Sequence, residues 1–193
     1  MPIQLSPLPT EPGAFAPHLP AEAVVRHRAA QQAGIDALNA LLGDGAEDAP
    51  ALADLARQAR GALASHAAQA WADEFYWAAL RPADGANGEP GAPLADAITR
   101  AFGDMKRMCA RFAEASLRLS GPGWLWLVQR PDRRLAVLAT PGSTTPLTGQ
   151  DTPLLACSLW PHALPDERPD AMQRHLAAFW ALVDWKVVTR RMP

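Results

Sequence analysis

The chain has 193 residues, 49% of them apolar, and a formal net charge of −2. That composition excludes a disordered chain and suits one domain, or two small ones sharing a core. Basic residues cluster only in short pieces such as Arg133-Arg134 and Arg190-Arg191, so no nucleic-acid partner is expected. No apolar run approaches the length needed to cross a bilayer, so no membrane partner is expected either.

The opening MPIQLSPLPTEPG has neither a charged start nor an apolar run. It does not read as a secretory leader, and a cytoplasmic location is expected. Residues 1–20 are Pro-rich and extended. Residues 21–42 read as a helix that Gly43 ends. Residues 51–80 read as a second long helix with an interruption near Gly61. RPADGANGEPGAP is a Pro/Gly loop and a natural boundary. It divides a helical N-terminal domain, 1–84, from an α+β C-terminal domain, 90–193. Helices follow near 93–102 and 104–118. Three strand-like runs come next: WLWLVQR (124–130), RLAVLAT (134–140) and PLLACSLW (153–160). The turn Pro131-Asp132-Arg133 joins the first two as a hairpin. A last helix covers 170–190. Cys109 and Cys157 are lone residues in apolar settings without CxxC spacing, and they read as buried packing thiols.

Periodicity turns several polar groups inward. On the first helix, Val24, His27, Gln31, Ile35, Leu38 and Leu42 share a face. On the second, Ala62, His66, Gln69, Asp73, Tyr76 and Leu80 do so, beside the apolar stripe Leu63, Ala67, Trp71, Phe75. Asp73 thus sits in AAQAWADEFYW (67–77) among Trp71, Phe75, Tyr76 and Trp77. An ionised carboxylate there is costly unless a cation, a metal or strong donors meet it. Strand alternation puts Leu154, Ala156, Ser158, Trp160 and His162 on one side of the third strand. Three elements therefore offer His27, Gln69 with Asp73, and Ser158 with His162. Such a set is either a metal site or a metal-free, hydrogen-bonded core cluster. His18 and His175 look peripheral and receive no role.

Five pieces, in order, resemble the iron/manganese superoxide dismutases: HLPAEAVVRH (18–27), AAQAWADEFYW (67–77), GWLWLV (123–128), TPLTGQDTPLLACSLWPHA (145–163) and FWALVDWKVV (179–188). The resemblance implies a helical hairpin followed by an α+β domain with a three-stranded antiparallel sheet. It also implies one iron or manganese, held by three His and one Asp with a bound solvent molecule. The metal alternates between two oxidation states, releasing oxygen from one superoxide and peroxide from the next. By resemblance His27 and His162 are ligand positions. Asp73 stands where the family has a His, and Ser158 where it has its Asp. Gln69 matches the glutamine that hydrogen-bonds the solvent in iron-type members. Tyr76, Trp71, Trp124 and Trp160 match the aromatic shell around it.

The departures imply a weakened centre. The family's gate His and Tyr are replaced by Gln31 and by Gly34 or Ile35, and a locally bulged helix is expected to become regular. Trp160-Pro161-His162 lacks the Glu that bridges to a partner subunit, so a family-type dimer is in doubt. The tyrosines and arginine that normally follow are replaced in ALPDERPDAMQRH. An Asp is shorter than a His, so Asp73 is expected to stop short of a metal. Ser158 is a poor ligand because its hydroxyl resists ionisation. The cofactor is iron or manganese, or none. In the metal-free case Asp73 accepts hydrogen bonds from Gln69 and a protonated His27 or His162. The expected function is an impaired or inactive dismutase-like protein with a structural or interaction role, its partner an unidentified protein or itself. The alternative is a metal-dependent dismutase using His27, Asp73 and His162.

Overall fold

The computed structural model describes residues 2–84, 88–164 and 170–193. Helix α1 (Ala21–Leu42) runs unbroken as α-helix until Gly43, whose φ of 53° suits a glycine and stops it. Its buried side chains are Val24, His27, Gln31, Ile35 and Leu38, with Ala23. This is the inward face that the spacing predicts. The regular first helix matches expectation as well.

The expected helix over 51–80 is two helices, α2 (Leu52–Gln58) and α3 (Gly61–Trp77). Gly61 has φ 61° and turns the chain between them. Helix α3 buries Ala67, Ala68, Ala70 and Ala72. Such short side chains let helices pack closely. The Pro/Gly loop, of which 85–87 lie outside the described residues, leads to α4 (Ala92–Phe102) and α5 (Met105–Ser116).

Three strands follow: β1 (Gly123–Gln129), β2 (Leu135–Pro141) and β3 (Thr152–Ser158). The sheet order is β2-β1-β3, antiparallel throughout, so β1 is central. Every residue of β1 is buried. Both its faces are covered, which is why it reads as a continuous apolar run. The hairpin turn holds Arg133 at φ 65°, and Asp132 Oδ1 accepts the Arg134 N–H at 3.0 Å. At Gly123 a Cβ would lie 2.2 Å from the Thr140 carbonyl oxygen, so only glycine fits.

Opposed residues in an antiparallel pair share a face. Trp124 opposes Ser158 and Trp126 opposes Ala156. That face meets α3: the Trp71 and Trp126 rings stack at 5.8 Å and 16°. Leu125 with Cys157, and Leu127 with Leu155, form the other face.

Two expectations fail near the end of the chain. Strand β3 stops at Ser158, and Pro161–Ala163 forms a 3-10 turn. Proline has no N–H for the ladder, so His162 reaches the interior from a turn and strand alternation does not apply to it. The helix expected over 170–190 is α6 (Ala171–Leu182) plus α7 (Trp185–Arg190). The break is built in. Arg81 N–H donates to Leu182 O, Asp184 N–H donates to Ala79 O, and Asp184 Oδ1 caps α7 through the N–H groups of Lys186 and Val187. Arg191 then clamps the end of the chain. Its guanidinium donates to Leu154 O and Phe75 O at 3.0 Å each and lies 3.5 Å from the centroid of the Phe75 ring. Cys157 is buried as expected, but Cys109 is only half-buried.

Candidate metal centre

Helix α1 brings His27, α3 brings Asp73, and the 3-10 turn after β3 brings His162. One ligand atom from each lies within 4.8 Å of the other two. His27 and Asp73 are buried, and His162 is half-buried. The closest pair is His27 Nε2 and Asp73 Oδ1 at 3.1 Å. The carboxylate therefore does reach the imidazole facing it. The His27 and His162 rings are 4.7 Å apart, and Trp160 stacks on His162 at 5.7 Å.

The second carboxylate oxygen is occupied too. Gln69 Nε2 donates to Asp73 Oδ2 at 3.1 Å, while Gln69 Oε1 accepts Trp124 Nε1–H at 3.3 Å. Both ends of the glutamine amide are thus committed, to a carboxylate on one side and an indole on the other. Tyr76 is buried beside this line, its ring 5.6 Å from His27. Desolvation holds its phenol well above the ordinary range.

Ser158 faces α3 from the end of β3, opposite Trp124, and is fully buried. Its Oγ accepts the Trp160 N–H at 3.4 Å and so ends the strand. His162 Nε2 is buried without a hydrogen-bond partner among the described residues. Desolvation, with His27 close by, pushes the His162 imidazole down to about 4.

The sequence reading missed one group. His175 on α6 is buried, and its Nε2 lies 2.7 Å from Ser158 O and 3.7 Å from Cys157 Sγ. It is not peripheral: it braces the strand end that carries Ser158. Burial lowers its imidazole to about 4 and raises the Cys157 thiol. The inward period of α6, with His175 beside Leu176 and Phe179, was the available signal.

A cavity of about 260 Å³ opens beside the cluster, lined among others by Gln31, Gly34, Gln69, Asp73, Trp160 and His162. Ile35 instead packs with Leu38, Leu55 and Ala67 in the second core cluster. Gly34, and not Ile35, therefore borders this cavity. The ALPDERPDAMQRH replacements fall partly on 165–169, outside the described residues.

Residues 90–191 match the family model for iron/manganese superoxide dismutases, C-terminal domain. The whole chain aligns with curated relatives. A superoxide dismutase (Fe) of Salmonella typhimurium is 37% identical over 193 residues, covering 100% of this chain and 99% of the relative. One from Escherichia coli is 36% identical with the same coverage. One from Coxiella burnetii is 30% identical over 191 residues, 98% of each. The chain belongs to the iron/manganese superoxide dismutase family. Its helical N-terminal part and three-stranded antiparallel sheet are that family's α+β fold, and the family cofactor is iron or manganese. Among the described residues no helix is long and apolar enough to cross a membrane.

Proposed function

We propose that this chain is a dismutase-fold protein with a degenerate metal site, whose dismutation is impaired or absent and which acts in the cytoplasm as a structural or interaction module. The observation that carries the reading is the position of Gln69. In iron-type relatives that glutamine is expected to bond the metal's solvent molecule. Here its amide N–H goes to Asp73 at 3.1 Å and its oxygen to Trp124 at 3.3 Å. One of its two N–H donors is thus spent on Asp73 and not on a bound solvent, and ligand set and hydrogen bonding together set a metal's potential. Ser158 supports the same reading, because a neutral hydroxyl stands where a carboxylate ligand is expected. The division into a helical domain over 1–84 and an α+β domain over 90–193 belongs to this proposal. So does a partner that is either an unidentified protein or a second copy of this chain, without the Glu bridge of the family dimer.

One specific observation favours a second reading, a metal-dependent dismutase. The His27, Asp73 and His162 ligand atoms lie within 4.8 Å of one another, and His162 Nε2 has no partner among the described residues. Metal bonds of about 2.1 Å place neighbouring ligand atoms about 3–4 Å apart, so the trio fits one ion after a small closure. Those three residues would hold it, and Ser158 would add little. Iron or manganese would supply one-electron exchange with superoxide. The chain's own part is to exchange protons. A His27 Nε2–H donated to Asp73 occupies the lone pair that a metal requires. Loading must therefore exchange the 3.1 Å contact between His27 Nε2 and Asp73 Oδ1 for ligation.

Elemental analysis after iron or manganese supplementation, paired with a superoxide-consumption assay, separates the readings. The first expects less than stoichiometric metal and consumption far below that of an iron-loaded relative measured alongside. A full complement of metal with a relative-like rate overturns it in favour of the second.

A further inference from the structure

The cavity beside the cluster is more than the space left by a lost side chain. Gly34 sits in regular helix, and a Cβ there would meet nothing within 4 Å. The opening is therefore built into the backbone and does not result from a rotamer. Gln31, 5% exposed, lines the same space. Arg28 Nη1 donates to Gln31 Oε1 at 2.8 Å. A guanidinium can only donate, so this contact fixes the amide with its Nε2 on the other side. That Nε2 is buried and has no partner among the described residues, and the same holds for Trp160 Nε1. Two donors thus stand unsatisfied in side chains that line one cavity, and unmet buried donors are costly. Ala30, Ala70 and the Trp160 ring give the remaining walls an apolar surface, with the polar Ser65, His66 and Ser143 and the cluster residues Asp73 and His162 also bordering the space. Both carboxylate oxygens of Asp73 already have a partner, in His27 and Gln69.

We propose that this cavity binds a small organic carboxylate, with its oxygens accepting from Gln31 Nε2 and Trp160 Nε1 and its apolar body against Trp160. Size supports this class: an apolar cavity of about 150 Å³ holds benzene, and the space here is about 260 Å³. The Arg28 contact polarises the Gln31 amide and strengthens its free N–H toward an anion. The inference goes beyond the proposed function, because it requires neither a metal nor dismutation.

Benzoate is the probe, titrated by calorimetry and tryptophan fluorescence into chelator-treated full-length protein, with benzyl alcohol as the uncharged control. Saturable 1:1 binding with a Kd on the order of a millimolar is expected, as suits nine heavy atoms. Gln31→Leu should weaken it about tenfold or more, the scale of one hydrogen bond to a charged group. Gly34→Leu should abolish it by filling the space. Both variants are first checked by circular dichroism, and Gly34→Ala, which adds one methyl and a better helix former, stands in if the leucine variant does not fold. Absence of saturable binding overturns the proposal. So does benzoate binding that neither substitution alters, or benzyl alcohol binding as tightly as benzoate. Metal loading and superoxide assays on the same preparations report separately on the dismutase reading.

Discussion

The centre has a sheet wall and a helix wall, and they are packed differently. On the sheet wall, Trp124, Trp126 and Ser158 are all fully buried and locked by strand register. Trp124 and Trp126 lie 5.8 Å apart, and Trp126 stacks on Trp71 of α3. Ser158 is small and adds no volume to a full wall. On the helix wall, Gln31 and Gly34 border open space, and Asp73 supplies a buried carboxylate. The contrast teaches that packing limits which positions can change. Where neighbours press from every side, only a size-tolerant exchange survives. Where a cavity adjoins, the side chain can shrink to hydrogen.

The sharpest way to test that contrast is to return chemistry to both walls at once. Asp73→His with Ser158→Asp should raise iron or manganese affinity by more than the roughly 10–100-fold that a ligand's outer hydrogen-bond partners contribute. Competition against a chelator, followed by elemental analysis, measures it. Failure would mean that the helix wall has moved and that the two walls no longer close on a common point. The sheet wall alone is probed by Trp126→Ala, which should cost about 3–5 kcal/mol in urea denaturation, since it empties a fully enclosed site. A loss below about 1 kcal/mol would show that the wall is not the close-packed side.

The acid limb of stability tests how the sheet wall is braced. His175 is buried and its folded pKa is lowered to about 4, against about 6.5 when unfolded. Between those values the unfolded chain takes up a proton that the fold refuses. Stability is therefore fully present above pH 6.5 and falls as pH drops toward 4, by about 3 kcal/mol for this group. His162 shifts in the same direction. His175→Phe should flatten part of that limb, while losing about 1 kcal/mol at neutral pH through the bond to Ser158 O. An unchanged acid limb would show that His175 titrates freely.

Much of this was legible from residue order alone. The inward face of α1 held because a 22-residue amphipathic run leaves little freedom of phase. The hairpin held because Pro131-Asp132-Arg133 supplies its own turn chemistry. His27, Asp73 and His162 were singled out and do converge, although His162 arrives by a 3-10 turn and not along a strand. The interruption near Gly61 was expected and is where α2 gives way to α3. The break between α6 and α7 was missed for a physical reason: hydrophobic period continues across it, and the chain is redirected by contacts distant in sequence. The clearest is the pairing of 79–81 with 182–184. His175 was misjudged because its partners, Ser158 O and Cys157 Sγ, belong to a strand 17 residues earlier. Which end of Gln69 faces Asp73 also depends on Trp124, 55 residues away.

The smallest expected effect bears on the helix wall by itself. Gly34 lies in the interior of α1 with ordinary helical backbone, and a Cβ there meets nothing within 4 Å. In such a place glycine costs about 0.5–1 kcal/mol relative to alanine, through the entropy lost on ordering it. Gly34→Ala should therefore stabilise the protein by about that amount in urea denaturation, with the m-value unchanged. The sign matters more than the size. A gain means the folded chain tolerates the added methyl, and the opening persists for reasons outside folding stability, since random substitution would readily find alanine. A loss means that the space is filled when the protein folds in solution, and the helix wall is as tightly packed as the sheet wall it faces.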